Sequence, residues 1–198
     1  MTHIFDYRED FLDALRTRCS QKLRGGMPSG KPWRPTLVSI DGRSGSGKST
    51  LAAELHSRLN TVGVNTVLFQ MENLYQGWEG LGAAIEQWQS ISVSVNSGRK
   101  IDYVSWDWDF NQPTEPFPFI YDDAEVFLCE GVGASQGMVD VRCWVELDPE
   151  TRKQRALARD GDTFAPYWDT WAHQEEQMLQ NLGFPAPFDY ALRVHPGQ

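Results

Sequence analysis

The feature that most constrains this chain is the segment Gly42–Ser49 (GRSGSGKS), which fits the pattern GxxxxGK[S/T]. A short apolar run, Thr36–Asp41, precedes it, and Leu51, Leu55 and Leu59 follow it at helical spacing. Glycines let successive backbone N–H groups converge on an anion, and the N-terminus of the following helix adds its positive end. The segment therefore predicts a phosphate-binding loop between a buried strand and a helix.

A loop of this type, a Walker A motif, divides the binding of a nucleoside triphosphate among its residues. We predict that Lys48 bridges the β- and γ-phosphates and that Ser49 holds Mg²⁺. The backbone and hydroxyl groups around them complete the cradle. The predicted ATP-binding residues are Gly42, Ser44, Gly45, Ser46, Gly47, Lys48, Ser49 and Thr50.

Strand and helix patterns alternate through the rest of the chain. Apolar runs predict further strands at 64–69, 124–129, 141–147 and 188–194. Helical spacing predicts helices at 82–96, 149–159 and 168–182, and Asp148 is a suitable N-cap for the second of them. Repeated βα units favour an α/β fold whose parallel sheet is covered by helices on both faces.

The residues before this pattern read as a separate element. Residues 6–23 have the spacing of an amphipathic helix, and 25–35 is a linker containing Pro28, Pro32 and Pro35. The helix is predicted to be an appendage to the core. We therefore divide the chain into an N-terminal helix and linker (1–35) and a P-loop domain (36–198).

Composition narrows the range of partners. The 198 residues carry a formal net charge of −9, so the chain has no surplus of basic residues to coat nucleic acid or an anionic membrane. Three cysteines without metal-ligand spacing suggest neither a zinc site nor a disulfide framework. No apolar run approaches the ~18 residues of a membrane span. We expect a cytoplasmic protein with a small-molecule substrate, and the sequence leaves its oligomeric state open.

Two glutamates follow predicted strands. Glu130 closes the run 124–129 and is followed by Gly131, so its carboxylate could reach Mg²⁺ beside the phosphate loop. Glu72 follows the strand at 64–69, whose carboxyl end opens on the same edge of the sheet as the loop. Glu130 is thus the predicted metal ligand, with Ser49, and Glu72 the predicted base.

A tryptophan-rich segment, Trp106–Asp109 (WDWD), sets carboxylates between flat aromatic walls. This combination suits a pocket for a sugar or a base, with Asp107 and Trp108 as contacts, although the tryptophans could equally belong to the core. Whether Glu72 or Asp107 acts as the base stays open at this point.

Arginines recur along the helix predicted at 149–159. Arg152, Arg155 and Arg159 are three and four residues apart, which places them on one helical face. The face leads into a polar, glycine-bearing segment beginning at Asp160, as in a lid that clamps transferring phosphate charge. The alternative is a solvated face that pairs with Glu150 and Asp160.

Taken in order, several segments resemble the uridine kinase-like P-loop proteins of actinobacteria. The likeness covers about residues 36–194. It implies a three-layer P-loop kinase fold with a five-stranded parallel sheet, flanking helices and an arginine-bearing lid. The segments that carry it are IDGRSGSGKST, ENLYQGWEGL, SWDWD, LCEGVGA and WVELDPETRKQRALARDG.

The resemblance also implies roles by position. Glu72–Tyr75 stands where the family has its catalytic Asp-x-Phe-Tyr element, and Trp106–Asp109 stands where it has a ribose-holding Phe-Asp-His-Pro element. Glu130 matches the family's glutamate after the third strand. The implied catalytic residues are Lys48, Glu72, Arg155 and Arg159, and the implied acceptor contacts are Glu72, Tyr75, Asp107 and Trp108.

Three functions remain in view. The first is an ATP-dependent kinase that phosphorylates a hydroxyl of a nucleoside or similar polyol, and the second is a nucleotide-binding ATPase or regulatory module without a small acceptor. They differ in whether Glu72 and Asp107 line a pocket facing Lys48. The third, a kinase of nucleoside monophosphates, needs basic residues that the acidic segment 102–125 offers in small number.

Overall fold

The computed structural model describes residues 2–24, 33–182 and 188–195. This part of the chain contains ten strands and five α-helices. None of the described helices is long and apolar enough to cross a bilayer. The strands are β1 (His3–Phe5), β2 (Thr36–Asp41), β3 (Thr66–Gln70), β4 (Ile101–Tyr103), β5 (Trp106–Asp107), β6 (Gln112–Pro113), β7 (Phe117–Phe119), β8 (Val126–Glu130), β9 (Val141–Glu146) and β10 (Tyr190–Arg193). The helices are α1 (Arg8–Arg24), α2 (Lys48–Thr61), α3 (Leu81–Asn96), α4 (Pro149–Phe164) and α5 (Trp168–Leu182).

Six strands form one sheet in the order β1-β10-β9-β2-β8-β3, and every neighbouring pair is parallel. All six residues of β2 are buried, as expected of a central strand covered on both faces. Helix α2 leaves the end of β2 and the chain returns as β3, beyond β8. The carboxyl end of β2 is therefore close to the point where connections diverge, the usual ligand site of an open α/β sheet.

The sheet separates two hydrophobic cores. Alternate residues of β2 face opposite ways, so Val38 packs with Leu51 on the α1/α2 side, whereas Leu37 packs with Trp88 and Met178 on the α3/α5 side. Burying a side chain of this size contributes about 1.5–3 kcal/mol, which makes the two layers the main source of stability. The predicted three-layer α/β architecture, a parallel sheet with helices on both faces, is confirmed.

The sheet has one strand more than the five predicted. Strand β1 pairs with β10, with His3 opposite Tyr190. Three residues are too few to show a strand period in the sequence.

Helix α1 is not an appendage. Its side chains Phe11, Leu12 and Leu15 are fully buried in the core that α2 shares with the sheet. The division of the chain at residue 35 stays a prediction, and residues 25–32 of the predicted linker lie outside the described residues.

Most other elements lie where the sequence placed them, within about two residues. Helix α4 begins as expected, with the Asp148 carboxylate accepting a hydrogen bond from the backbone N–H of Thr151 at 2.9 Å. It then continues beyond Arg159 to Phe164, across a non-helical break at Gly161. Two small antiparallel pairs, β4 with β7 and β5 with β6, were not predicted.

Candidate active site

The phosphate loop joins the end of β2 to the start of α2. Gly45 has a φ of +79°, and a Cβ there would lie 2.1 Å from the carbonyl oxygen of Arg152, so only glycine can occupy this position. Gly47 caps α2 with a φ of +93°, and a Cβ there would meet nothing within 4 Å. The Cβ position of Gly47 is therefore open, and helix N-termini of this kind bind phosphate groups.

The start of the loop is fixed by a buried carboxylate. Asp41 accepts hydrogen bonds from the backbone N–H groups of Gly42 (2.7 Å), Gly133 and Ser135 (3.0 Å each), and from the Ser135 hydroxyl (2.6 Å). Burial raises the pKa of Asp41, and these hydrogen bonds oppose the rise. Gly133 and Ser135 follow β8, the strand beside β2. Asp41 therefore links the start of the loop to the turn after β8 by hydrogen bonds.

A hydroxyl and a carboxylate meet at the first turn of α2. The Ser49 hydroxyl donates to Glu130 at 3.0 Å, and the Gln70 side-chain amide donates to the other oxygen of Glu130 at 3.3 Å. Magnesium in nucleotide sites binds one or two protein oxygens together with phosphate oxygens and water. The Ser49 hydroxyl and the Glu130 carboxylate offer oxygens of this kind, and their role as metal ligands stays a prediction.

One cavity of about 310 Å³ opens beside this pair. Loop residues and Glu130 line one part of it, and residues from the segments that follow β3, β5 and β8 and from α4 and α5 line the rest. Most of the predicted site residues thus come together in one space. The lining residues are Ser44, Lys48, Ser49, Glu72, Tyr75, Trp78, Trp108, Glu130, Gly131, Val132, Arg159, Asp160, Thr163, Phe164 and Trp171.

Aromatic rings form a second part of the cavity wall. Trp78 stacks on Phe164, with ring centroids 4.9 Å apart and planes 14° apart, and contacts Trp108 at 5.0 Å. Tyr75 packs edge-on against Trp171 at 4.8 Å. Flat, rigid rings of this kind suit a planar group of a ligand. Trp78, Phe164 and Trp171 were not among the predicted site residues.

Glu72 and Tyr75 reach the cavity from the turn after β3. Glu72 is exposed and lies in one turn of 3₁₀ helix, Met71–Leu74. The Tyr75 hydroxyl donates to the Val132 carbonyl at 3.1 Å, and burial, aided by the nearby Glu130 charge, raises its pKa. Tyr75 thus presents its ring to the cavity, whereas the Glu72 carboxylate is exposed at its edge.

The WDWD segment divides between the cavity and a turn. Trp108 lines the cavity. The Asp107 carboxylate instead accepts backbone hydrogen bonds from Asp109 and Phe110, at 3.0 Å each, and Asp107 is not among the described residues that line the cavity. A direct role for Asp107 in acceptor binding stays a prediction.

The three arginines of α4 lie in three different environments. Arg159 lines the cavity and pairs with Asp160, whose hydrogen bonds raise the pKa of Arg159. Arg155 lines a second cavity of about 240 Å³, on the Thr50 side of the loop. Arg152 is buried and donates to the Ser44 carbonyl at 3.1 Å. Arg152 and Arg159 are seven residues apart, which corresponds to about 10 Å along the helix. The same face of α4 therefore contacts the loop at Arg152 and the cavity at Arg159.

Helix α5 supplies contacts to the loop that the sequence did not reveal. The Trp171 indole N–H donates to the Ser44 hydroxyl at 2.9 Å, and Glu175 accepts from the Ser44 backbone N–H at 2.7 Å. Their i,i+4 spacing predicts a shared helical face. This spacing does not predict their contact with Ser44, which is about 130 residues away in the sequence.

Sequence comparison identifies no relatives, since no protein-family model and no curated protein matches the chain. Structural comparison identifies proteins of similar fold. A candidate uridine kinase from Bacillus stearothermophilus has 17% identity and a TM-score of 0.57, covering 93% of this chain and 98% of that one. A candidate fructose transport system kinase from Silicibacter sp. TM1040 has 18% identity and a TM-score of 0.62, covering 89% and 98%. At these identities the likeness shows the fold, which is that of P-loop kinases.

Proposed function

We propose that the protein is an ATP-dependent phosphotransferase that moves the γ-phosphoryl group of Mg·ATP to a hydroxyl of a small, nucleoside-like acceptor. One observation carries the proposal: the same cavity is lined by Lys48, Ser49 and Glu130 on one side and by Glu72 and Trp108 on the other. Phosphoryl transfer requires the two reactants in line and close together. A single cavity with both types of lining satisfies that requirement.

The phosphate side has the groups that hold and neutralise a triphosphate. The loop N–H groups and Lys48 bind phosphate oxygens, and Ser49 and Glu130 hold the metal. Bound Mg²⁺ supplies charge neutralisation where negative charge develops on the transferring group. Arg159, at the cavity wall, adds a second cation from α4.

The acceptor side has a base and an aromatic clamp. Glu72 accepts or orients the proton of the acceptor hydroxyl, since its carboxylate is the exposed acid at the cavity edge. Trp108, whose ring contacts Trp78, stacks on a planar group of the acceptor. This pairing of acid and rings is the reason for proposing a nucleoside-like acceptor.

The second cavity receives the nucleoside part of ATP. It lies beside Gly47 and Thr50, on the other side of the loop from the acceptor cavity, and includes Arg155 and Arg8. A triphosphate that places its γ end against Lys48 leads its other end towards the first turn of α2. Arg155 therefore serves ATP binding in this proposal, and Arg159 serves transfer.

The structural neighbours support the reaction class through their names, which are those of candidate kinases for uridine and for a fructose transport system. Uridine, which the first of these names gives, bears hydroxyl groups. The resemblance to actinobacterial uridine kinase-like proteins belongs to the same proposal. A regulatory ATPase without an acceptor has no use for an aromatic cavity that Glu72 and Lys48 line together, which favours the kinase.

An acceptor screen tests the proposal. Purified protein and Mg·ATP are incubated with nucleosides, sugars and cofactor precursors, and ADP release is measured against an acceptor-free control. We expect ADP release to rise with at least one nucleoside-like acceptor and to depend on Lys48. Equal release with and without every acceptor would favour the ATPase module, and absence of Mg·ATP binding in calorimetry would exclude both.

A further inference from the structure

A carboxylate of α5 lies fully buried beneath the phosphate loop. Glu175 has no exposed surface, and it accepts hydrogen bonds from the Ser44 backbone N–H (2.7 Å), Arg43 Nε (2.9 Å) and Trp171 Nε1 (3.1 Å). Arg152 lies 3.9 Å away. A buried charge is tolerated only when it is paired and hydrogen-bonded, and these donors provide both.

The contacts converge on the second and third residues of the loop. Arg43 is held along α5 by three contacts, with Nε on Glu175, one terminal nitrogen on Glu176 (3.2 Å) and the other on the Ala172 carbonyl (3.2 Å). The Ser44 N–H is likewise occupied by Glu175. Both residues are therefore fixed in orientation by groups outside the loop.

The same helical turn also borders the acceptor cavity. The Trp171 ring lines the cavity, while its N–H is shared between Glu175 and the Ser44 hydroxyl. The side-chain amide of Gln174, three residues after Trp171, donates to the Trp78 carbonyl at 2.7 Å. This turn of α5 therefore also contacts the aromatic wall. One turn of α5 thus contacts both halves of the site.

We propose that Glu175 is a positioning residue for the phosphate loop. Acting through the Ser44 N–H and Arg43, it holds the loop in its nucleotide-receiving conformation before the nucleotide binds, so that binding does not have to order it. The inference rests on the proposed function in one respect, namely that the loop binds Mg·nucleotide. In this role Glu175 does not contact the nucleotide itself.

The direction in which nucleotide affinity changes when Glu175 is replaced distinguishes positioning from a purely electrostatic role and from a purely structural one. Replacing a carboxylate near a polyanion removes repulsion, so a purely electrostatic role predicts tighter nucleotide binding in a neutral variant. A purely structural role predicts a lower melting temperature with unchanged affinity of the folded protein. Positioning predicts weaker binding, since a loop that has lost its anchor must be ordered by the nucleotide.

The test compares Glu175→Gln with Glu176→Gln in the full-length chain. Both changes remove one negative charge from α5 and one contact of Arg43, but Glu176 is exposed and has no contact with Ser44. Affinities for Mg·ADP and for Mg²⁺ with a non-hydrolysable ATP analogue are measured by calorimetry. We expect binding about tenfold weaker for Glu175→Gln, as for one lost charge-assisted hydrogen bond, and a change under about twofold for Glu176→Gln.

A second variant covers the case in which Glu175→Gln does not fold. Trp171→Phe keeps the ring and removes the N–H that joins Ser44 to Glu175, and it is expected to weaken Mg·ADP binding by severalfold. Circular dichroism establishes that each variant is folded at the temperature of the titration. Equal or tighter binding by the folded variants overturns the inference while leaving the proposed kinase intact, whereas a wild-type chain that does not bind Mg·ADP overturns both.

Discussion

The two sides of the cavity are built in different ways. The phosphate side is one continuous strand, loop and helix, anchored by the buried carboxylates Asp41 and Glu130, each with at least two hydrogen bonds. The acceptor side is assembled from side chains of separate segments, and two of its members, Glu72 and Trp108, are exposed. The first side combines backbone groups with side chains of one continuous segment, and the second combines buried rings with the exposed side chains of Glu72 and Trp108.

This difference matches what each side has to bind. Triphosphate oxygens present the same geometry in every nucleotide, so preorganised N–H groups and a helix N-terminus suffice. An acceptor is distinguished by its own shape, which calls for rings and a placed acid. The non-helical break at Gly161 lies between Arg159 and Phe164, which both line the cavity.

The largest expected effect is on the acceptor side. Glu72→Gln keeps the size of the side chain and removes its charge, and we expect the transfer rate to fall by about 10²–10⁴-fold with ATP affinity nearly unchanged. Glu79→Gln, on the exposed loop before α3, is the matched control. Once an acceptor is known, steady-state kinetics provide the measurement. A wild-type rate in Glu72→Gln would make Glu72 a bystander, with Asp107 or Asp109 as the next candidate.

The second effect concerns the arginines of α4, which the structure places apart. Arg159→Ala removes a cation from the cavity, and we expect turnover to fall by about 10²–10³-fold with the melting temperature nearly unchanged, since its pair with Asp160 is solvent-exposed. Arg152→Ala instead removes a buried donor to the Ser44 carbonyl and should lower the melting temperature. Steady-state kinetics and thermal unfolding measure the two effects. A lower melting temperature with normal turnover in Arg159→Ala would show that Arg159, like Arg152, has a structural role.

The contrast between the two sides also explains what the sequence could predict. The bounds of β2 match the predicted strand, because a fully buried strand leaves a continuous apolar run between Pro35 and Gly42. Glu72 and Glu130 come to the same edge of the sheet because β3 and β8 pair in parallel, as their positions after predicted strands indicate. Local pattern and sheet geometry were therefore sufficient for the strand, loop and helix of the phosphate side, although not for its contacts with α5.

Other features left no local pattern. The pairs β4/β7 and β5/β6 have strands of two or three residues, too short for a period, so the placement of Trp108 and Asp107 could not be derived. The contact between Glu175 and Ser44 joins residues 131 positions apart. Such contacts depend on how helices pack on the sheet, which residue spacing within one helix does not determine.

The third prediction tests the phosphate side directly. Lys48→Ala removes the flexible cation of the loop, and we expect Mg·ATP affinity to fall by about 10- to 100-fold, the range for a hydrogen bond to a charged group. Lys153→Ala makes the same change on α4, where the ammonium group lies over Trp168, away from both cavities. Calorimetry on the two variants measures the difference. Unchanged affinity in Lys48→Ala would contradict the phosphate-loop assignment on which the proposed function rests.

The smallest expected effect tests whether the aromatic wall binds the acceptor. Trp108 contacts Trp78 and is about two-fifths exposed (39%), so its truncation should cost little stability. Stacking of a planar base on such a ring contributes about 1–3 kcal/mol, and we expect the acceptor KM to rise by about tenfold in Trp108→Ala, with ATP affinity unchanged. Phe110→Ala is the matched control, since Phe110 is an aromatic residue two positions later, 74% exposed and outside the cavity lining.

Comparing acceptors sharpens this last test, because stacking depends on a flat group. A nucleoside should lose affinity in Trp108→Ala, whereas a sugar without a base should be nearly unaffected. If both acceptors lose affinity equally, the ring acts by shaping the cavity and the nucleoside-like acceptor loses its main support. If only the nucleoside is affected, the acceptor side is selective through its rings, and the division between a fixed phosphate side and a selective acceptor side holds.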